Sequence, residues 1–232
     1  MFLRSILLCF GVFTLSFPVL ADDVRIAFNG DMYLFNEGME SYPWFAIVKK
    51  QEGDGYYAAE KAQIDMQYKS NDGDGWWEVN GTPSAFFYVS GLPLREHEPL
   101  TTDMPTAHHA PTDTIALPVG ELYVLSKDLG IQLAVSGAYE WDEENHYPAL
   151  KHYEIRVDTG KHSQILFETD FMDGASPSLV WFGDLNGDIS PDILLDVSTK
   201  YGSKNYMLFL SRYEQSKVVY EKAASIESGG GC

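Results

Sequence analysis

No stretch of this chain holds a convincing helical period over about twelve residues. Short apolar or alternating runs instead recur between clusters of Gly, Pro, Asn and Asp. That pattern confines the chain to a β-rich architecture. The runs fall at 44–49, 58–68, 84–89, 120–125, 132–135, 151–157, 163–168, 179–182, 192–197, 206–211 and 217–220. Ile64, Met66 and Tyr68 alternate onto one face, as do Tyr153, Ile155 and Val157. Aromatic residues make up 14% of the chain, with 14 Tyr and 13 Phe, and such rings suit pleated, half-buried surfaces. The nearest approaches to helical spacing, 113–126 and 218–225, are weak. The expected fold is mostly β, with antiparallel sheets arranged as a sandwich or as two small lobes.

Residues 1–21 read as a signal peptide. Arg4 supplies the positive start, 5–17 are almost unbroken apolar residues, and Val19-Leu20-Ala21 ends in a small residue before Asp22-Asp23. The apolar run falls short of the roughly 20 residues of a comfortable membrane span. Leu8 before Cys9 lacks the small residue a lipidation site needs. The expectation is a secreted or periplasmic protein without a membrane span.

Beyond the leader, 22–94 is expected to form an N-terminal β lobe. The segment 95–118 carries Pro99, Pro105, Pro111 and Pro118 with little periodicity, and reads as a long exposed loop. Residues 119–228 form the expected C-terminal lobe, and 229–232 a flexible tail. Cys232 is the one thiol left after cleavage. It excludes an intrachain disulfide but leaves an intermolecular one open. The formal net charge of −18 argues against nucleic acid and anionic lipid as partners.

The sharpest local pattern is Asp184-Leu185-Asn186-Gly187-Asp188-Ile189-Ser190-Pro191-Asp192, between the apolar runs 179–183 and 193–195. Oxygen-bearing side chains fall at loop positions 1, 3, 5 and 9. Hard cations such as Ca²⁺ gather six to eight oxygens at about 2.3–2.6 Å, and such spacing supplies them. Asp184, Asp188 and Asp192 bring charge, Asn186 a neutral oxygen, and Ser190 its backbone carbonyl at position 7. Position 6 normally takes Gly for a sharp turn, and here it is Ile189, a β-branched residue poorly suited to positive φ. Gly187 is expected to relieve part of that strain, and Pro191 to hold Ser190 extended. The same residues also make an Asx-rich turn without any ion.

The run from Phe182 to Asp188, followed by Pro191-Asp192-Ile193-Leu194-Leu195-Asp196, resembles the FG-GAP/VCBS repeat of integrin propellers and many secreted bacterial proteins. That family's loop reads D-x-[DN]-x-D-G-x-x-D between two strands. The resemblance implies Asp184, Asn186, Asp188 and Asp192 as ligands, with Ile189 departing from the family's Gly. It spans residues 179–212. A single repeat cannot close a propeller, whose blades bury one another, so it implies an ion-stapled hairpin.

Other clusters are read structurally. Asn71-Asp72-Gly73-Asp74-Gly75 reads as a hairpin turn. Trp76 and Trp77, adjacent on a strand, are expected on opposite faces, one of them available to stack on a sugar. His97, His108 and His109, with Glu96, Glu98, Asp103 and Asp113, fall in the loose loop and read as solvated. Asp142-Glu143-Glu144, with Trp141 and His146, reads as an exposed hairpin end. The sequence has no G-x-S-x-G, H-E-x-x-H or C-x-x-C. The expected function is non-enzymatic, a binding or envelope-associated role with one structural Ca²⁺ and a glycan or a protein as partner. A carbohydrate-binding or adhesion module comes second. A hydrolase using paired carboxylates comes third.

Overall fold

The computed structural model describes residues 24–33, 38–50, 56–71, 74–96, 99–100, 114–143, 146–160, 162–172, 174–215 and 217–229. The leader, His97, Glu98, Asp103, His108, His109, Asp113, Glu144 and Cys232 lie outside them. Seventeen strands and one 3-10 turn, Met39–Ser41, make up the regular structure among the described residues. In chain order the strands are β1 (Arg25–Ala27), β2 (Met32–Tyr33), β3 (Trp44–Lys50), β4 (Tyr56–Ala62), β5 (Asp65–Asn71), β6 (Asp74–Asn80), β7 (Ala85–Ser90), β8 (Pro99–Leu100) and β9 (Ile115–Ala116). They continue with β10 (Leu122–Ser126), β11 (Ile131–Asp142), β12 (Tyr147–Asp158), β13 (Ser163–Thr169), β14 (Ser178–Gly183), β15 (Asp192–Asp196), β16 (Ser203–Glu214) and β17 (Lys217–Gly229).

The strands form four antiparallel sheets. The outer N-terminal sheet runs β2-β6-β5 and the inner N-terminal sheet β1-β7-β3-β4-β8. The inner C-terminal sheet runs β17-β16-β15-β14-β9 and the outer C-terminal sheet β10-β11-β12-β13. Three apolar cores lie between successive sheets. Ile64, in the link before β5, and Met66 and Val79 of the outer N-terminal sheet meet Trp44, Ala46, Val48 and Tyr88 of the inner one. Ile26, Ile47, Phe87 and Val89 on that sheet's other face meet Val180, Trp181, Leu194 and Leu208. Leu179, Phe182, Ile193, Leu195 and Phe209 then meet Ile131, Leu133, Tyr153, Ile155 and Val157.

This layering explains two kinds of sequence run. Successive strand side chains point to opposite faces. A sheet covered on both sides therefore needs apolar residues at every position, as in Ile193-Leu194-Leu195, all fully buried. A sheet covered on one side alternates, as Tyr153, Ile155 and Val157 do on β12. Each fully buried Leu or Ile contributes about 1.5–3 kcal/mol relative to an exposed one.

Several boundaries differ from the sequence expectation. The run at 58–68 is two strands: β4 pairs with β3, whereas β5 belongs to another sheet and pairs with β6. The chain changes layer at Gln63-Ile64 without a Gly or Pro to mark it. Neither weakly helical stretch is helical where described: 113–126 holds β9 and β10 with a turn between them, and 218–225 lies within β17. Within 95–118, Pro99–Leu100 pairs with β4 and Ile115–Ala116 with β14, so the ends of that segment are sheet edges rather than free loop. Pro suits such an edge because it lacks a ladder donor. Asn71 pairs with Asp74 as a hairpin requires, and Asp72 and Gly73 lie outside the described residues.

Candidate metal centre

The pair Gly183–Asp192 closes the β14–β15 hairpin, and residues 184–191 form its loop. Asp184 organises the turn. Its Oδ1 accepts the N–H of Gly187 at 2.7 Å and of Asp188 at 3.2 Å, and its Oδ2 accepts Ile189 N–H at 2.8 Å. Asn186 Oδ1 accepts Asp188 N–H, and Asp188 Oδ1 accepts Ser190 N–H. This is the Asx-rich turn expected of these residue types. It wraps the backbone so that both Gly187 (φ 79°) and Ile189 (φ 75°) take left-handed conformations. Position 6 thus has the geometry a glycine would give, imposed on a β-branched residue. Ile189 keeps its side chain in solvent, 82% exposed.

Asp192 is fully buried. Its Oδ2 accepts Leu185 N–H at 2.7 Å and its Oδ1 accepts Ser211 N–H at 2.7 Å. Ser211, on β16, is the residue that sequence reasoning missed. Its hydroxyl lies 3.0 Å from the Ser190 carbonyl, 3.1 Å from Asp192 Oδ1 and 3.3 Å from Asp188 Oδ1. Its carbonyl accepts Asn186 Nδ2–H at 2.9 Å. The one hint in sequence is a small polar residue closing the apolar run 206–210 of a strand.

A hydroxyl carries one proton, so it can satisfy one of those three oxygens. Oxygens from loop positions 5, 7 and 9 therefore converge with more lone pairs than hydrogens. Burial, the dominant cause, pushes the Asp192 carboxyl well above its ordinary range, and the charges of Asp184 and Asp188 push it further. Hydrogen bonds from Ser211 and Leu185 act the other way. Asp188 is raised too, first by burial and then, among charges, by Asp184. The Lys and Arg ion pairs among the described residues go to other acids, including Glu60, Glu96, Glu78, Glu154, Asp196, Glu214 and Glu221.

Among the described residues no three His, Cys, Asp or Glu side chains form a metal-ligand group by themselves. The carboxylates spend their oxygens on main-chain N–H groups, so the convergence depends on the Ser190 carbonyl as well. Of the five sequence candidates, Asp188, Ser190 and Asp192 bring oxygens together at the Ser211 hydroxyl, a donor set whose chemistry suits a hard cation, whereas Asp184 and Asn186 turn their oxygens to the loop's own N–H groups.

The remaining sequence candidates are dispersed. Trp76 and Trp77 are both half-buried, and Trp77 meets Tyr68 edge-on at 5.3 Å. Tyr68 is 59% exposed although it shares the face of Ile64 and Met66. Trp141 is exposed on the β11–β12 hairpin, adjacent in sequence to Asp142 and Glu143.

A cleft of about 740 Å³ lies among β1, β2, β16 and β17, within the size range of small-molecule sites. Its lining includes Arg25, Lys200 and Lys204 against Glu227, with no His or Cys among the described residues. Lys204 is engaged with the buried Asp196 at 2.8 Å, and Arg25 lies over the Tyr42 ring at 3.9 Å. Compared with known proteins, the chain matches no family model, no curated sequence and no solved structure.

Proposed function

We propose that this chain is an exported, non-enzymatic β protein with a binding or envelope-associated role. In this reading, Asp184, Asn186, Asp188, Ser190 and Asp192 hold one structural Ca²⁺. The observation that carries the reading is the meeting of Asp188, Ser190 and Asp192 oxygens around a single Ser211 hydroxyl. A divalent cation neutralises those carboxylates and joins the β14–β15 hairpin to β16. The FG-GAP/VCBS-like spacing and the leader-like residues 1–21 support the same reading. Extracellular Ca²⁺ modules work at about 10⁻⁴–10⁻³ M, which suits an exported protein.

Thermal melting of the mature chain in EGTA, in millimolar Ca²⁺ and in Mg²⁺ tests the proposal. A Ca²⁺-selective rise in Tm that disappears in Asp184→Ala and Asp188→Ala is expected. An equal rise in both variants would remove the site assignment.

A second reading, a carbohydrate-binding or adhesion module, is favoured by the exposed Tyr68 ring beside Trp77. A glycan array probed with the mature chain and with Trp76→Ala and Trp77→Ala separates the two. Glycan binding lost in either variant supports the module.

A further inference from the structure

The buried phenol of Tyr220 is the strongest feature that the loop itself does not explain. Tyr220 is 4% exposed, and its hydroxyl has no hydrogen-bond partner among the described residues. A buried hydroxyl left unpaired costs about 1–3 kcal/mol, so such a group asks for a reason. Its position supplies one. Tyr220 on β17 is the direct cross-strand partner of Ser211 on β16. Directly opposed residues of an antiparallel pair project from the same face, with Cβ atoms about 4.5–5.5 Å apart. The Tyr220 ring therefore leaves the sheet beside the hydroxyl on which the Asp188, Ser190 and Asp192 oxygens converge.

The backbone of Tyr220 is fixed from the next layer. Gln164 on β13 accepts Tyr220 N–H at 3.0 Å and donates to Tyr220 C=O at 2.6 Å. The phenol's ordinary pKa is pushed up, chiefly by burial and then by the Asp192 and Asp188 charges, so the hydroxyl stays protonated beside them.

Resting on the Ca²⁺ reading above, we propose that Tyr220 belongs to the same ion site, its phenol oxygen reaching the cation through one bound water. Water-mediated ligation is ordinary for Ca²⁺, and a bridging water would satisfy the unpaired hydroxyl. The site then spans the loop, β16 and β17. Through Gln164 it also touches the outer C-terminal sheet. Calcium would tie the C-terminal hairpin into the stack as well as closing one turn.

The test is calorimetric Ca²⁺ titration of the mature chain, with melting in EGTA, for the wild type, Tyr220→Phe and Asp188→Ala. Wild-type binding lost in Asp188→Ala establishes the site. Tyr220→Phe is then expected to bind Ca²⁺ about tenfold more weakly, as loss of an outer-shell partner does. In EGTA the same variant should melt at or above the wild type, because it sheds an unpaired polar group. Wild-type affinity in Tyr220→Phe would overturn the role of Tyr220 while leaving the loop site intact. A marked drop in its EGTA melting temperature would also overturn it, by showing that the hydroxyl has a structural partner in the metal-free protein. No Ca²⁺ binding by the wild type would overturn the loop site and this role together.

Discussion

Replacing Ile189 with glycine should stabilise the metal-free protein, the reverse of the usual effect of removing an apolar side chain. Ile189 sits at φ 75° with 82% of its surface exposed. A non-glycine residue in the left-handed region costs about 1–2 kcal/mol, and a β-branched one lies at the upper end. Full burial of an isoleucine is worth about 1.5–3 kcal/mol, so the fifth that is covered here is worth about 0.5 kcal/mol. Glycine's extra freedom in the unfolded chain costs about 0.5–1 kcal/mol. The net gain is about 0.5–1 kcal/mol, or about 1–4 °C in Tm for a chain of this size. Ile189→Ala keeps a Cβ and should fall between wild type and Ile189→Gly. Urea unfolding in EGTA, followed by tryptophan fluorescence with unchanged slope, measures the difference without any metal contribution. A loss of more than about 1 kcal/mol in Ile189→Gly would refute the argument, since it would mean that Ile189 docks its side chain.

Other outcomes follow from the same geometry. Asp188 and Asp192 have folded-state pKa values above the ordinary 3.8. The folded state therefore holds more protons than the unfolded state between 3.8 and the raised values. Metal-free stability should fall as pH rises through that window, and melting in EGTA should show a shallower fall in Asp192→Asn. An identical slope in that variant would assign the effect to the chain's overall charge. Leu194→Ala removes a fully buried side chain from a sheet covered on both faces, and should cost about 2–5 kcal/mol by urea unfolding. Tyr153→Phe leaves the Leu117 carbonyl without its 2.7 Å donor. It should cost about 1–2 kcal/mol, and an unchanged midpoint would show that the bond contributes nothing.

The parts of the fold that were legible in sequence are those set by local periodicity. Tyr153, Ile155 and Val157 face inward as their alternation requires, because β12 is covered on one side only. The continuous runs at 179–182 and 193–195 were visible as strands. That they form a sheet between two others was not, since the covering residues come from distant segments. The β4–β5 layer change was hidden because Gln63-Ile64 continues the alternation across it. The Asx-rich turn at 184–190 was legible from its residue types and spacing alone. Ser211 was not, because its place beside Asp192 depends on the β15–β16 register, 19 residues along the chain. The conformation of Ile189 also ran against local preference. Three N–H groups bonded to one Asp184 carboxylate outweigh the strain of a single residue.

The middle interface of the stack has a consequence for a chain that is still being made. Residues 24–100 supply both N-terminal sheets, and one of those sheets buries Ile26, Ile47, Phe87 and Val89 against β14, β15 and β16. Those covering strands are synthesised later. At about 5–20 residues per second the early half waits roughly ten seconds with that face uncovered. During that interval an apolar face and unpaired edges stand open to other copies. Delivery through an export machinery that holds the chain unfolded would remove the hazard by presenting both halves together.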